Sequence, residues 1–105
     1  MGKAQIVVKG SVSELRSALQ SFCQDKDARL YGRLDKGENP DFFSLSVRLK
    51  DERGRYKPAG KVRAQKLRYD RVLLTFLSEQ ATFTGFVDGF VPRLIQQGFS
   101  PRSLL

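Results

Sequence analysis

The sequence predicts an α+β domain of order β-α-β-β-β-β-α, an antiparallel sheet with two helices on one face and an open basic face. Three observations predict it. Two segments, Val12–Cys23 near the start and Phe83–Ile95 near the end, space their apolar residues at the helical period. Between them apolar and polar residues alternate with period two, the mark of strands with one buried and one solvated face. The chain has 105 residues, 40% of them hydrophobic and eight of them Phe, which suits one domain with a single two-layer core rather than a disordered basic tail.

Gln5–Lys9 is a short β-branched run closed by Gly10 and reads as the first strand. Ser11-Val12-Ser13-Glu14 matches the capping box, in which a serine hydroxyl takes a free helix amide and the glutamate three residues on reaches back. Val12, Leu15, Leu19, Phe22 and Cys23 then form the stripe of a helix that ends in the polar turn Gln24–Asp27. Ala28, Leu30, Gly32 and Leu34 alternate with Arg29, Tyr31 and Arg33, and Phe43, Leu45, Val47 and Leu49 with Ser44, Ser46, Arg48 and Lys50. Turn residues Gly37, Asn39 and Pro40 separate these two strands, and Asp51-Glu52-Arg53-Gly54 marks the next turn. Lys61–Ala64 alternates again, while Arg71–Leu77 is apolar on both faces, as an interior strand is. Ser78 is the expected N-cap of the last helix. Gly98 is its expected C′ residue, with Phe99 supplying the hydrophobic contact of a Schellman ending.

The charge is localised. Of nineteen Lys and Arg residues, ten lie between Arg48 and Arg71, beside only Asp51, Glu52 and Asp70, so this stretch accounts for nearly all of the +8 total. A concentrated positive field is one that an anionic polymer can find. If the apolar alternants face the helices, the open face shows Arg29, Tyr31 and Arg33, then Phe42, Ser44, Ser46, Arg48 and Lys50, then Lys61, Arg63 and Gln65. Cations beside aromatic rings are what single-stranded nucleic acid requires, because cations neutralise phosphate and rings stack on any base. Gly54–Lys61, rich in Gly and Pro, reads as a mobile basic arm of about residues 51–61 that clamps backbone through Arg53, Arg55, Tyr56, Lys57 and Lys61. Lys66 and Arg68 extend the basic run.

Two families share features with this chain. The run Phe43–Val62, with Asp51-Glu52-Arg53-Gly54, then Lys57-Pro58 and Lys61, resembles the hairpin of the positive-cofactor-four family of single-strand DNA binders. The extra strand Arg71–Leu77 departs from that pattern. From Ser11 onward, the order of helix, strands and helix looks like the Alu-domain proteins of the signal recognition particle, with Gln5–Lys9 as an additional strand. Both resemblances imply nucleic acid on the sheet face.

Several function classes are disfavoured. The chain has no histidine, the usual near-neutral acid–base group and commonest metal ligand. Cys23 lies on an apolar helix stripe, the setting of a structural thiol. The acidic pairs Asp25/Asp27 and Asp51/Glu52 sit in turns, and no phosphate-binding loop, dinucleotide fingerprint or nucleophile elbow occurs. No enzyme activity and no cofactor are therefore expected. No apolar run approaches the roughly 18 residues of a membrane span, and the N-terminal segment lacks the apolar core of a signal peptide. An intracellular, soluble protein is the expectation. Gly85, Gly89 and Pro92 form a strip on the last helix, away from its Phe stripe, where a second subunit's helix could approach to make a homodimer. The expected function is non-catalytic binding of nucleic acid, single-stranded rather than duplex. The alternative is an assembly module whose basic face meets an acidic protein, and a merely solvated basic face is the bland third reading.

Overall fold

The computed structural model describes residues 2–32 and 41–103 and shows the expected α+β order with one short strand added at the end. The elements are β1 (Gly2–Lys9), α1 (Val12–Asp25), β2 (Arg29–Tyr31), β3 (Phe42–Lys50), β4 (Tyr56–Lys66), β5 (Arg71–Ser78), α2 (Thr82–Gln96) and β6 (Arg102–Ser103). Every pairing is antiparallel, and the strand order is β2-β3-β4-β5-β1-β6. β5, apolar on both faces, lies between β4 and β1, the interior place that its composition favours.

One face of the sheet presents Val8, Leu45, Val47, Val62, Val72, Leu74 and Phe76, all buried against the helices. α1 contributes Leu15, Leu19 and Phe22, and α2 contributes Phe83, Phe86, Phe90 and Leu94. Burial of each such side chain contributes about 1.5–3 kcal/mol. The helices meet through rings: Phe22 lies edge-on to Phe86 at 5.1 Å and tilted against Phe90 at 5.4 Å between centroids. Gly89 belongs to this contact, because a Cβ there would stand 3.1 Å from Cζ of Phe22. The strip expected to lie away from the core is thus partly used inside the chain. Gly85 has nothing within 4 Å of a Cβ position. Cys23 is buried in the same core, and burial pushes its thiol up to about 12, in keeping with a structural role.

Local signals account for three of the four helix ends. The Ser11 hydroxyl accepts the Glu14 amide at 3.1 Å and donates to the Glu14 carboxylate at 2.9 Å. α1 closes with Asp27 in the left-handed region (φ 54) and the Ala28 amide bonded to the Cys23 carbonyl at 2.8 Å. α2 ends in the expected Schellman motif, with Gly98 at φ 94, its amide on the Ile95 carbonyl and the Phe99 amide on the Leu94 carbonyl. The start of α2 differs from expectation. Ser78 is the last residue of β5, paired with both Gly2 and Gly60, and Ala81 occupies the N-cap without a side-chain bond. Two ladder partners outweigh one cap, so the strand continues through Ser78 and the chain turns over Glu79 and Gln80, whose amides both reach the Ala59 carbonyl.

The second difference is larger. Residues 56–61 are not an arm between strands but the first half of β4, paired with β3. Pro58 and Gly60 are tolerated for separate reasons. β5 begins pairing with β4 only at Gly60, so Pro58 sits where β4 has a neighbour on one side and its missing amide breaks no ladder bond. A bulge at Ala59, opposite the Val47/Arg48 step, absorbs one extra residue. At Gly60 a Cβ would stand 2.5 Å from the Phe83 ring and 2.6 Å from the Leu77 carbonyl oxygen, so only glycine lets α2 approach the sheet there. The β3–β4 turn is confined to residues 51–55. There the Asp51 carboxylate accepts the amides of Arg53 (2.9 Å) and Arg55 (2.8 Å), and Gly54 takes φ 80.

Candidate nucleic-acid interface

Residues directly paired across a ladder share a face, so the register assigns the uncovered side of the sheet residue by residue. Arg29 pairs with Arg48, and Arg48 with Pro58. Tyr31, Ser46, Lys61, Leu77 and Lys3 form one row across five strands. Ser44, Arg63, Thr75 and Gln5 form the next, and Phe42, Gln65, Leu73, Val7 and Arg102 a third. Lys50 with Tyr56 and Lys9 with Arg71 complete the face at its two ends. Among the described residues these ladder positions hold nine cations, three aromatic rings and no carboxylate. Half-buried Leu73, Leu77 and Val7 and exposed Phe42 put apolar surface among the charges, on either side of the polar row of Ser44, Arg63, Thr75 and Gln5.

Rings and guanidiniums pair between strands rather than along β2. The Arg48 guanidinium lies 4.4 Å from the Tyr31 ring centre, and that of Arg29 lies 4.0 Å from the Tyr56 ring centre. Hydrogen bonding to Tyr31 is the main cause that raises Arg29 above its ordinary value. These contacts hold both guanidiniums over rings, a favourable cation–π placement. Tyr31 remains 42% exposed, so part of its ring stays open to a ligand.

A carboxylate approaches this end from outside the sheet. Asp27 accepts the Tyr56 hydroxyl at 2.7 Å and pairs with Lys50 at 3.2 Å. The Tyr56 and Lys50 hydrogen bonds hold the Asp27 carboxyl below its ordinary range. Tyr56 and Lys50 are thereby anchored, while Arg48, Lys61 and Arg63 carry the charge along the rest of β3 and β4.

The remaining expected site residues separate. Lys57 pairs with Leu49 and Lys66 with Val72, both on the helix side, which turns these two lysines away from the open face. Lys57 meets Asp51 at 3.5 Å and Lys66 meets Asp41 at 3.8 Å. The one-residue alternation of a paired strand is the reason: an arm could have brought all its cations to one ligand, whereas a strand divides them between faces. Arg53 and Arg55 are exposed at the β3–β4 turn, and Arg68 at the β4–β5 turn. Arg33 lies outside the described residues.

Lys3, Lys9, Arg71 and Arg102 belong to the face as well, although sequence reasoning did not include them. For β1 the signal was present in the alternation Lys3, Gln5, Val7, Lys9 against Ala4, Ile6 and Val8. For Arg102 no signal existed, since the two-residue β6 is defined only by its pairing with β1. Against known protein families and curated proteins, the chain matches none. No helix among the described residues is long and apolar enough to cross a membrane.

Proposed function

We propose that this protein binds single-stranded nucleic acid on the uncovered face of its sheet and performs no chemistry there. The observation that carries the reading is the make-up of that face: nine cations interspersed with apolar and aromatic side chains, with no carboxylate at any described ladder position. A solvated face has no reason to exclude acids while it gathers bases, since mixed charge serves solubility equally well. Those apolar and aromatic side chains favour unpaired bases over duplex, whose bases are stacked inside and whose surface is phosphate. Arg48, Lys61 and Arg63 neutralise phosphates beside Tyr31 and Phe42, which offer ring faces. The resemblances to single-strand DNA binders and to Alu-domain RNA binders support the same surface.

The experiment is a titration of mixed-sequence oligonucleotides, single-stranded and duplex, at several salt concentrations. Counterion release predicts that log K falls with log salt by about 0.7 per neutralised phosphate on single strands. Duplex binding should be weaker at equal length. Absence of binding at low salt would overturn the proposal and favour an acidic protein as the partner of the face.

A further inference from the structure

At the end of the open face remote from Tyr31, residues Val7, Lys9, Tyr69, Arg71, Ser100 and Arg102 line a concavity of about 620 Å³. Its three cations come from three adjacent strands. Lys9 of β1 stands across from Arg71 of β5, and Arg102 of β6 stands across from Val7. Among the described residues no carboxylate lines the hollow, and no ion pair joins Lys9, Arg71 or Arg102 to a described acid. Asp70 is adjacent in sequence but lines a second concavity, with Asp41 and Lys66, and Tyr69 borders both.

The rim carries a second sign of a built site. Tyr69 is 84% exposed at the β4–β5 turn with φ 62. The left-handed region costs a bulky L-residue about 1–2 kcal/mol, and glycine or asparagine would fill an exposed turn more easily. A strained, exposed ring at the mouth of a cationic hollow is a functional candidate. The turn is also tied down, because the Asp70 carbonyl accepts the Gly10 amide at 2.7 Å and so holds Tyr69 beside the end of β1.

We infer that this corner receives the terminal phosphomonoester of a nucleic-acid strand, with Tyr69 against the end base. The inference rests on the proposed binding of nucleic acid by the sheet face. An internal phosphodiester carries one negative charge, whereas a terminal phosphomonoester carries between one and a half and two near neutral pH. Three converging cations, two of them guanidiniums able to grip two oxygens at once, match the dianion better than the diester. The corner lies five strand spacings from β2, about 24 Å, so one short strand crossing the face can reach it while lying on Tyr31 and Phe42.

The test compares strands of one sequence, roughly twelve nucleotides long and so within the usual site size, bearing a 5′-phosphate, a 3′-phosphate or hydroxyls at both ends. A nucleoside monophosphate is titrated in parallel. One phosphorylated end should tighten binding about tenfold over the hydroxyl-ended strand. In the variant Lys9→Gln/Arg102→Gln, confirmed as folded by its melting temperature, that ratio should fall to about one. Equal binding of all three strands by the unaltered protein overturns the inference and leaves the sheet reading intact. Binding of no strand overturns both. A nucleoside monophosphate that binds through Arg102 without any preference between strand ends makes the occupant a free nucleotide, and the strand-end proposal falls.

Discussion

Tyr31 has a ring that Arg48 and solvent share. Arg48 covers part of its ring, and the exposed remainder is what a base would meet. Replacing the ring by alanine should weaken single-strand binding by about 1–3 kcal/mol, while Tyr31→Phe keeps most of the affinity. The salt slope should stay unchanged, because the ring neutralises no phosphate. Fluorescence titrations of both variants at two salt concentrations check this. Equal affinity of wild type and a folded Tyr31→Ala protein would remove stacking from the proposal. The fold should tolerate the change, since Tyr31 ends the three-residue edge strand β2 and lies outside the core.

At the scale of elements, β4 carries the most sequence-specific constraints. A Cβ at Gly60 would collide with the Phe83 ring and with a main-chain carbonyl, and the carbonyl cannot rotate away. Gly60→Ala should therefore destabilise the protein by about 1–3 kcal/mol, the usual cost of overpacking, whereas Gly85→Ala on the open side of α2 should stabilise it by up to about 1 kcal/mol through helix propensity. Urea unfolding of the pair checks the contrast. The β3–β4 turn makes a pH-dependent prediction. Hydrogen bonds from the Arg55 and Arg53 amides, with Lys57 nearby, hold the Asp51 carboxyl below its ordinary 3.8. A depressed carboxylate contributes stability that is complete above its unfolded value and is lost as the pH falls through the folded one. The acid limb of the melting temperature, below about pH 4, should be shallower in Asp51→Asn than in wild type. An identical limb would show that the turn does not depend on that charge.

For the whole molecule, the proposed binding depends on the division of charge between the two sides of one sheet. Neutralising Arg48, Lys61 and Arg63 together as glutamines should reduce the single-strand salt slope by about 0.7 for each phosphate that is no longer neutralised, weaken all sequences alike and leave the melting temperature nearly unchanged. The same number of substitutions at Lys57, Lys66 and Lys26, off the open face, should change the slope little. Paired salt titrations of the two triple variants check this. Equal effects would mean that net charge, not the face, governs binding.

Much of this architecture was legible in local sequence. The stripes Val12–Cys23 and Phe83–Ile95, the cap at Ser11 and the stop at Gly98 are set by residues a few positions apart, and each stands as read except that Ile95 is exposed. The alternation around Arg29–Tyr31 and Phe42–Lys50 likewise assigned side chains to faces, because strand period is a property of the backbone itself. Gly54–Lys61 misled for the opposite reason. Its Gly and Pro are locally unfavourable in a strand, and only the partial edge at Pro58, the bulge at Ala59 and the closeness of Phe83 to Gly60 make them acceptable. Strand order was likewise decided by tertiary structure. Placing β1 beside β5 and β6 beside β1 brings Lys9, Arg71 and Arg102 from distant points in the chain into one corner. Local pattern determines which way a side chain faces. Which strands become neighbours follows from burying one shared apolar face under two helices, a free energy that belongs to the assembled sheet and to no segment of it.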